Sequence, residues 1–239
     1  MVISVSGLST ITTQLSTFPR RVVPELLDGL PPDDPEARRS RRDLRMINGL
    51  MGNFRWVEKG IFQALGPGVL SFDRRLAQPP LQIIEIGAGE GRLCRKLAIR
   101  FKDAKVLGID FAPAPEDLPE EIAWRQGDLF AALSECAADV LVGTMILHHF
   151  PDEELRQLGD LLRKFSVICF CEPWRAAWPH IWGGLMWPVI GRVTRHDMSV
   201  SINAGFRPGE LPALLGLNDW RVRESVDWRG SVRLLAWKK

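Results

Sequence analysis

Residues 82–91 read Gln-Ile-Ile-Glu-Ile-Gly-Ala-Gly-Glu-Gly, a carboxylate followed by three glycines at alternate positions. Glycine tolerates positive φ and has no Cβ to hold a ligand off the backbone. The Gly-x-Gly-x-Gly spacing differs from the Gly-x-Gly-x-x-Gly turn that admits a pyrophosphate at a helix N-terminus. A carboxylate at Glu85, just ahead of Gly87, suits a cationic ligand with an amino-acid moiety instead. Four histidines are the other candidates for chemistry. His148 and His149 adjoin each other, and His196 is followed by Asp197, a carboxylate able to orient an imidazole and raise its pKa for general-base work. A hydrogen-bonded structural role for that pair stays open, as does a pocket-shaping role for His148 and His149. Glu172 is a third acid or base.

These residues need a frame. Leu81–Ile86 is a short apolar, β-branched run, and Arg92–Phe101 follows with helical character. From there strands and helices alternate: strands over 104–109, 121–125, 138–143 and 165–171, helices near 129–135 and over 152–164. That alternation predicts a parallel sheet with crossover helices on both faces. Trp220–Val226 and Ser231–Trp237 predict a closing antiparallel hairpin. Ahead of the sheet, Arg20–Leu30 reads as a short helix. Asp33 or Asp34 caps a second helix near 36–51, with Pro35 in its first turn, and 54–65 forms a third. Ligands of open α/β sheets bind at the carboxyl ends of the strands. Gly87, Ala88, Gly89 and Gly91, then Asp110 with Phe111, Asp128 with Leu129, and Gly143 with Thr144 all fall at such ends.

In these motifs and their order the chain resembles the class I S-adenosylmethionine-dependent methyltransferases, of the small-molecule kind found in ubiquinone and menaquinone synthesis. The resemblance spans roughly residues 80 to 173. It implies a three-layer, doubly wound, mostly parallel seven-stranded sheet of Rossmann-like type. It implies S-adenosylmethionine as cofactor and S-adenosylhomocysteine as product, with Glu85 and the glycines around the amino-acid moiety. Asp110 then holds the ribose diol, Asp128 and Leu129 meet the adenine, and Phe111 packs on the adenine face or in the core. Thr144–Phe150 is similar to the family's loop after the fourth strand, where Leu-His-His is common. The expected division is a tail over 1–19, a helical cap over 20–77, a cofactor-binding core over 78–173, a substrate lid over 174–209, and a last helix and hairpin over 210–239.

The lid region is rich in Trp174, Trp178, Trp182, Met186 and Trp187, with Arg195 beyond them. Such soft and aromatic surface suits an apolar acceptor, aromatic, polyketide or lipid-like. Core packing or a dimer face is the competing reading, so monomer and homodimer both remain open. The expected activity is methylation of a hydrophobic small molecule, on oxygen before carbon. His196, His149 and His148 are the candidate bases. A cofactor-binding partner subunit without turnover is the alternative, and a nicotinamide-dependent oxidoreductase is disfavoured by the glycine spacing.

A net charge of +2 gives no field for nucleic acid, and the arginines over 38–45 read as a solvated helix face. Cys94, Cys136, Cys169 and Cys171 show no zinc-ligand spacing, so no metal is expected and a reducing cytoplasm is. The first 19 residues lack a secretory signal's basic start and apolar run. No stretch reaches membrane-spanning length, and a transient membrane contact is the most the lid would make.

Overall fold

The computed structural model describes residues 19–66 and 79–238. The tail expected over 1–19 therefore lies, Pro19 aside, outside the described residues, as do residues 67–78. The strands are β1 (Gln82–Ile86), β2 (Lys105–Asp110), β3 (Ile122–Gln126), β4 (Val140–Thr144), β5 (Val167–Pro173), β6 (Trp220–Asp227) and β7 (Ser231–Lys238). They form one sheet in the order β3-β2-β1-β4-β5-β7-β6. The first five are parallel, and β7 inserts antiparallel between β5 and β6. The predicted strands are all present, within two residues at each end.

Strand periodicity divides the core in two. Ile84, Ile86, Leu141, Ile168, Phe170 and Leu234 face one side. There they meet α4 (Leu129–Glu135), α5 (Asp152–Leu162) and α8 (Glu210–Leu214). Ile83, Val106, Val142, Cys169 and Cys171 face the other, against α2 (Asn53–Leu65) and α3 (Arg92–Arg100). Each fully buried Ile or Leu contributes about 2 kcal/mol. Every residue of β5 is buried, as a central strand covered on both faces requires. Cys169 and Cys171 are apolar filling on one face, as their two-residue spacing predicts.

α1 (Pro35–Met51) starts where Asp34 accepts the amides of Glu36 and Ala37 and Pro35 takes the first helical position, and it ends at Gly52 with φ 67°. The helix expected over 20–30 is absent. That segment runs extended into a single 3₁₀ turn, Leu27–Gly29. Pro24 removes one amide from any helical ladder. Asp197 takes the amides of Leu26 and Leu27, and Arg21 donates its amide to Asn203. The segment is a strap across the molecule. Arg20 anchors it, bonding Asp152 and the carbonyls of Ala204, His148 and Phe150.

The stretch that breaks the alternating rhythm holds α6 (Ala177–Leu185) and α7 (Arg192–Ala204). A bridge from Trp174 to Phe206 ties its ends together. Gly205 makes this closure fit: a Cβ there would lie 2.2 Å from the Pro173 carbonyl oxygen. Backbone cannot yield as a side chain would, so Gly205→Ala is expected to cost about 3 kcal/mol. Urea unfolding monitored by circular dichroism measures it, and an unshifted midpoint would show that this junction relaxes freely.

Candidate active site

Two concavities meet at the carboxyl ends of the strands. The first is a groove of about 820 Å³ lined by Gly87, Asp110, Phe111, Asp128 and Leu129, among others. Asp110 ends β2 and accepts the amides of Gly89 at 2.7 Å and Ala112 at 2.8 Å. One carboxylate thus pins both the glycine turn and the loop after β2, with lone pairs left for a ligand hydroxyl. Asp128 caps α4 through the Ala131 amide. Phe111 is 69% exposed, so its ring is open to stack on a ligand. The glycines divide their duties. A Cβ at Gly87 would strike Ile146, and one at Gly91 would strike Leu118. Gly89, at φ 53°, has nothing within 4 Å of where its Cβ would stand. Of the three glycines in this turn, Gly89 is the one with open space where a side chain would otherwise stand.

The second concavity, about 380 Å³, is mostly apolar. Leu44, Ile47 and Met51 of α1 form one wall, and Pro179, Trp182 and Met186 of α6 another, with Met198 and Ile202 of α7 beside them. Met145, at φ 56°, enters it from the end of β4. A left-handed conformation at a non-glycine residue costs about 1–2 kcal/mol, which places backbone strain at the cavity floor. Asp28 and His149 line both concavities. His149 Nδ1 stands 3.9 Å from Asp28 Oδ2.

Behind this junction lies a buried polar array. Glu172, at the end of β5, accepts the amides of Ile146, Leu147 and His148 and faces His148 Nδ1 at 2.9 Å. Burial alone would lower the His148 pKa, but Glu172 and Glu25 outweigh it and hold the ring at about 9. His149 is pushed below its ordinary value by burial and by the neighbouring His148. Asp28 is pushed up by burial.

No protein-family profile matches the chain. A methyltransferase named str2 from Strobilurus tenacellus is 33% identical over 111 residues, 44% of this chain and 39% of its own length. An uncharacterized methyltransferase of Bacillus cereus is 29% identical over 99 residues, 38% of this chain and 46% of its own. The matches thus span less than half the length of these relatives. Among solved structures, the plantazolicin methyltransferase BamL, determined with a triazolic desmethylPZN analog and S-adenosylhomocysteine, superposes with TM-score 0.64 at 10% identity. That likeness covers 87% of this chain and 93% of BamL. Human N-acetylserotonin methyltransferase in complex with S-adenosylmethionine gives 0.52 at 17% identity, over 88% and 61% of the two chains. The fold is that of the class I S-adenosylmethionine-dependent methyltransferases.

On this methyltransferase fold the residues expected at the cofactor separate into two sets. Gly87, Asp110, Phe111, Asp128 and Leu129 line the groove, and Gly89 and Thr144 line the apolar cavity. Glu85, Ala88, Gly91 and Gly143 line neither. Glu85 shares the sheet face of Ile83, so its side chain turns toward α3, where the Cys94 thiol donates to it at 2.9 Å. It is 2% exposed, and burial pushes its pKa up to about 8 from 4.5. Folded protein therefore keeps the Glu85 proton between about 4.5 and 8 while unfolded chain loses it, so this group's stabilisation is lost as pH rises through that window. The slope approaches ~1.4 kcal/mol per pH unit. Glu85→Gln, which retains an acceptor for Cys94, is expected to flatten that part of the stability profile. A profile identical to the wild type would show Glu85 ionised when buried.

The proposed bases separate too. His148 and His149 line the apolar cavity, whereas His196 does not. On α7 it is Asp197, Met198, Ser201 and Ile202 that face inward, and His196, one residue around the helix, is exposed and bonds Asp197 at 2.9 Å. The His196–Asp197 pair is a structural link to the strap. Of the expected acceptor contacts, Trp182 and Met186 line the cavity. Trp174 sits in the bridge to Phe206, and Trp178 donates its indole N–H to the Trp228 carbonyl. Trp178 and Trp187 are 44% and 53% exposed, and the exposed Arg195 bonds the Ile190 carbonyl. Glu25, Asp28 and Asn48 also line the cavity, with no local sequence pattern to mark them. Leu44, Ile47 and Met51 recur at helical spacing in the sequence, and that stripe forms the cavity wall.

Proposed function

We propose that this chain transfers a methyl group from S-adenosylmethionine to an oxygen of a hydrophobic small molecule, aromatic, polyketide or lipid-like. The observation that carries the reading is the shared wall of Asp28 and His149 between a groove edged by strand-end carboxylates and an apolar cavity. The cavity volume lies in the range that holds small organic ligands. The groove fits the cofactor: Asp110 and Asp128 offer acceptors for ribose and adenine, Phe111 offers an aromatic face, and Gly89, bonded to Asp110 and lining the adjoining cavity, leaves its backbone open. The structural likenesses determined with S-adenosylhomocysteine or S-adenosylmethionine support the same reading.

Bound in the groove, S-adenosylmethionine supplies an electrophilic methyl group on a sulfonium whose charge is neutralised on transfer. The chain's own work is positioning, exclusion of water and removal of the acceptor's proton. Leu44, Ile47, Trp182 and Met186 hold the apolar body of the acceptor and keep water out. The acceptor's hydroxyl faces the junction, where the His149 and Asp28 pair takes the proton as the new oxygen–carbon bond forms and the sulfur–carbon bond breaks. Burial and the neighbouring His148 lower the His149 pKa, favouring the neutral form a base needs.

Calorimetric titration with S-adenosylmethionine, S-adenosylhomocysteine and NAD tests the cofactor. Micromolar binding of the first two without NAD is expected; NAD binding alone would overturn the reading. Screening lipophilic phenols for S-adenosylhomocysteine release then tests turnover, and binding without any release would favour a non-catalytic subunit. No helix among the described residues is long and apolar enough to cross a membrane.

A further inference from the structure

We infer that Glu25, His148 and His149 form a binding site for one divalent transition-metal ion where the two concavities meet. One ligand atom from each side chain lies within 4.8 Å of the others. They come from two distant segments, the strap and the turn after β4, which Arg20 clasps together. The site is half-buried, and its members line the apolar cavity.

His148 supplies the deciding observation. Its ring is 3% exposed, yet Nε2 has no hydrogen-bond partner. The nearest acceptor, Glu25 Oε1, stands 3.5 Å away, beyond the ordinary range of an N–H···O bond. Two donors ~2.1 Å from a tetrahedral ion stand ~3.4 Å apart, so the same separation is that of two ligands sharing a cation. The tautomer agrees. Glu172 already accepts three backbone amides, and as a carboxylate it can only accept from Nδ1. The Nδ1–H is therefore committed to Glu172, while Nε2, protonated toward Glu25 in the metal-free protein, gives up its proton to make way for the ion. A metal-bound imidazole whose other nitrogen donates to a carboxylate is the usual supported ligand. Ser201 plays the matching part for Glu25, donating its hydroxyl to Oε1.

Two imidazoles and one carboxylate suit Zn²⁺, Fe²⁺, Co²⁺ or Mn²⁺ in preference to Mg²⁺ or Ca²⁺, which favour all-oxygen shells. Three protein ligands leave open positions, and those positions face the cavity. The role of the ion in catalysis rests on the methyl-transfer reading; its binding does not. In that role the ion takes the acceptor's hydroxyl oxygen as a ligand and lowers its pKa, as metal ions do for bound water. With the ion bound, His149 serves as a ligand and Asp28 alone of the pair takes the proton; without it, His149 and Asp28 act as a pair.

The test uses the full chain without a polyhistidine tag, stripped with chelator and titrated with Co²⁺ alone, followed by calorimetry and visible absorption. One equivalent bound at micromolar or tighter affinity, with the absorption of four- or five-coordinate Co²⁺ and displacement by Zn²⁺, is expected. Glu25→Gln is expected to weaken binding at least ~30-fold, and Glu172→Gln ~10-fold, the loss typical of a supporting partner. His148→Ala is expected to abolish it; where that variant fails to fold, Glu25→Gln decides. Absence of a stoichiometric site, or undiminished affinity in Glu25→Gln, overturns the proposal. S-adenosylmethionine titration of the same metal-free protein separates the two readings. Cofactor uptake without metal binding sinks the metal site alone, and metal binding without cofactor uptake sinks the methyltransferase reading alone.

Discussion

Asp110→Ala is expected to weaken S-adenosylmethionine and S-adenosylhomocysteine binding about 100-fold, read by calorimetry. Two losses combine. The ligand forfeits hydrogen bonds to a charged acceptor, each contributing about 1.5–3 kcal/mol. The amides of Gly89 and Ala112 also lose the carboxylate that fixes both loops around the groove. Asp110→Asn is expected to fall between the wild type and Asp110→Ala, because the amide keeps one backbone acceptor but turns a donor toward the other loop amide and the ligand. Affinities equal to the wild type in both variants would mean that the cofactor does not lie against β2.

His149→Ala carries the second large effect. At saturating cofactor it is expected to lower kcat by ~10²–10³-fold, the range for loss of a positioned general acid–base group. His196→Ala is expected to leave kcat within a factor of about three, since that ring is exposed and outside the cavity. The pair discriminates between sites only 47 positions apart in sequence that looked equally suited to proton transfer. A large effect at His196 with none at His149 would move the reacting centre away from the junction.

The reason for that earlier ambiguity is physical. His196-Asp197 and Leu-His-His both place imidazoles beside polar neighbours, but helical rotation decides which ring faces inward, and rotation depends on what α7 packs against. Strand ends were legible because β-branched runs and glycine breaks encode them locally. Asp110, Asp128 and the glycine turn therefore fell where the sheet required. Glu85 misled for the same reason that strand alternation is reliable: a side chain one position from Ile86 must face the opposite layer, beneath the loop. The strap has no local signature because its stability comes from Arg20 and Asp197, whose hydrogen bonds across the strap span at least 127 residues of sequence. No local pattern reports such contacts. The apolar stripe of α1 was visible, yet a stripe that packs on a core and one that walls a cavity are written in the same residues.

The clasped strap has a consequence for how such a protein diversifies. Asp28 apart, the groove is assembled from strand ends, their following loops and the helices that start there, whereas Glu25 and Leu27 reach only the apolar cavity, from a segment held by one arginine and one aspartate. Choice of acceptor and retention of the methyl donor are thus written in separate stretches of chain. On the proposed function, exchanging residues 19–30 between related proteins, with Arg20, Asp28 and Asp197 kept, is expected to change the acceptor while leaving the donor's groove intact.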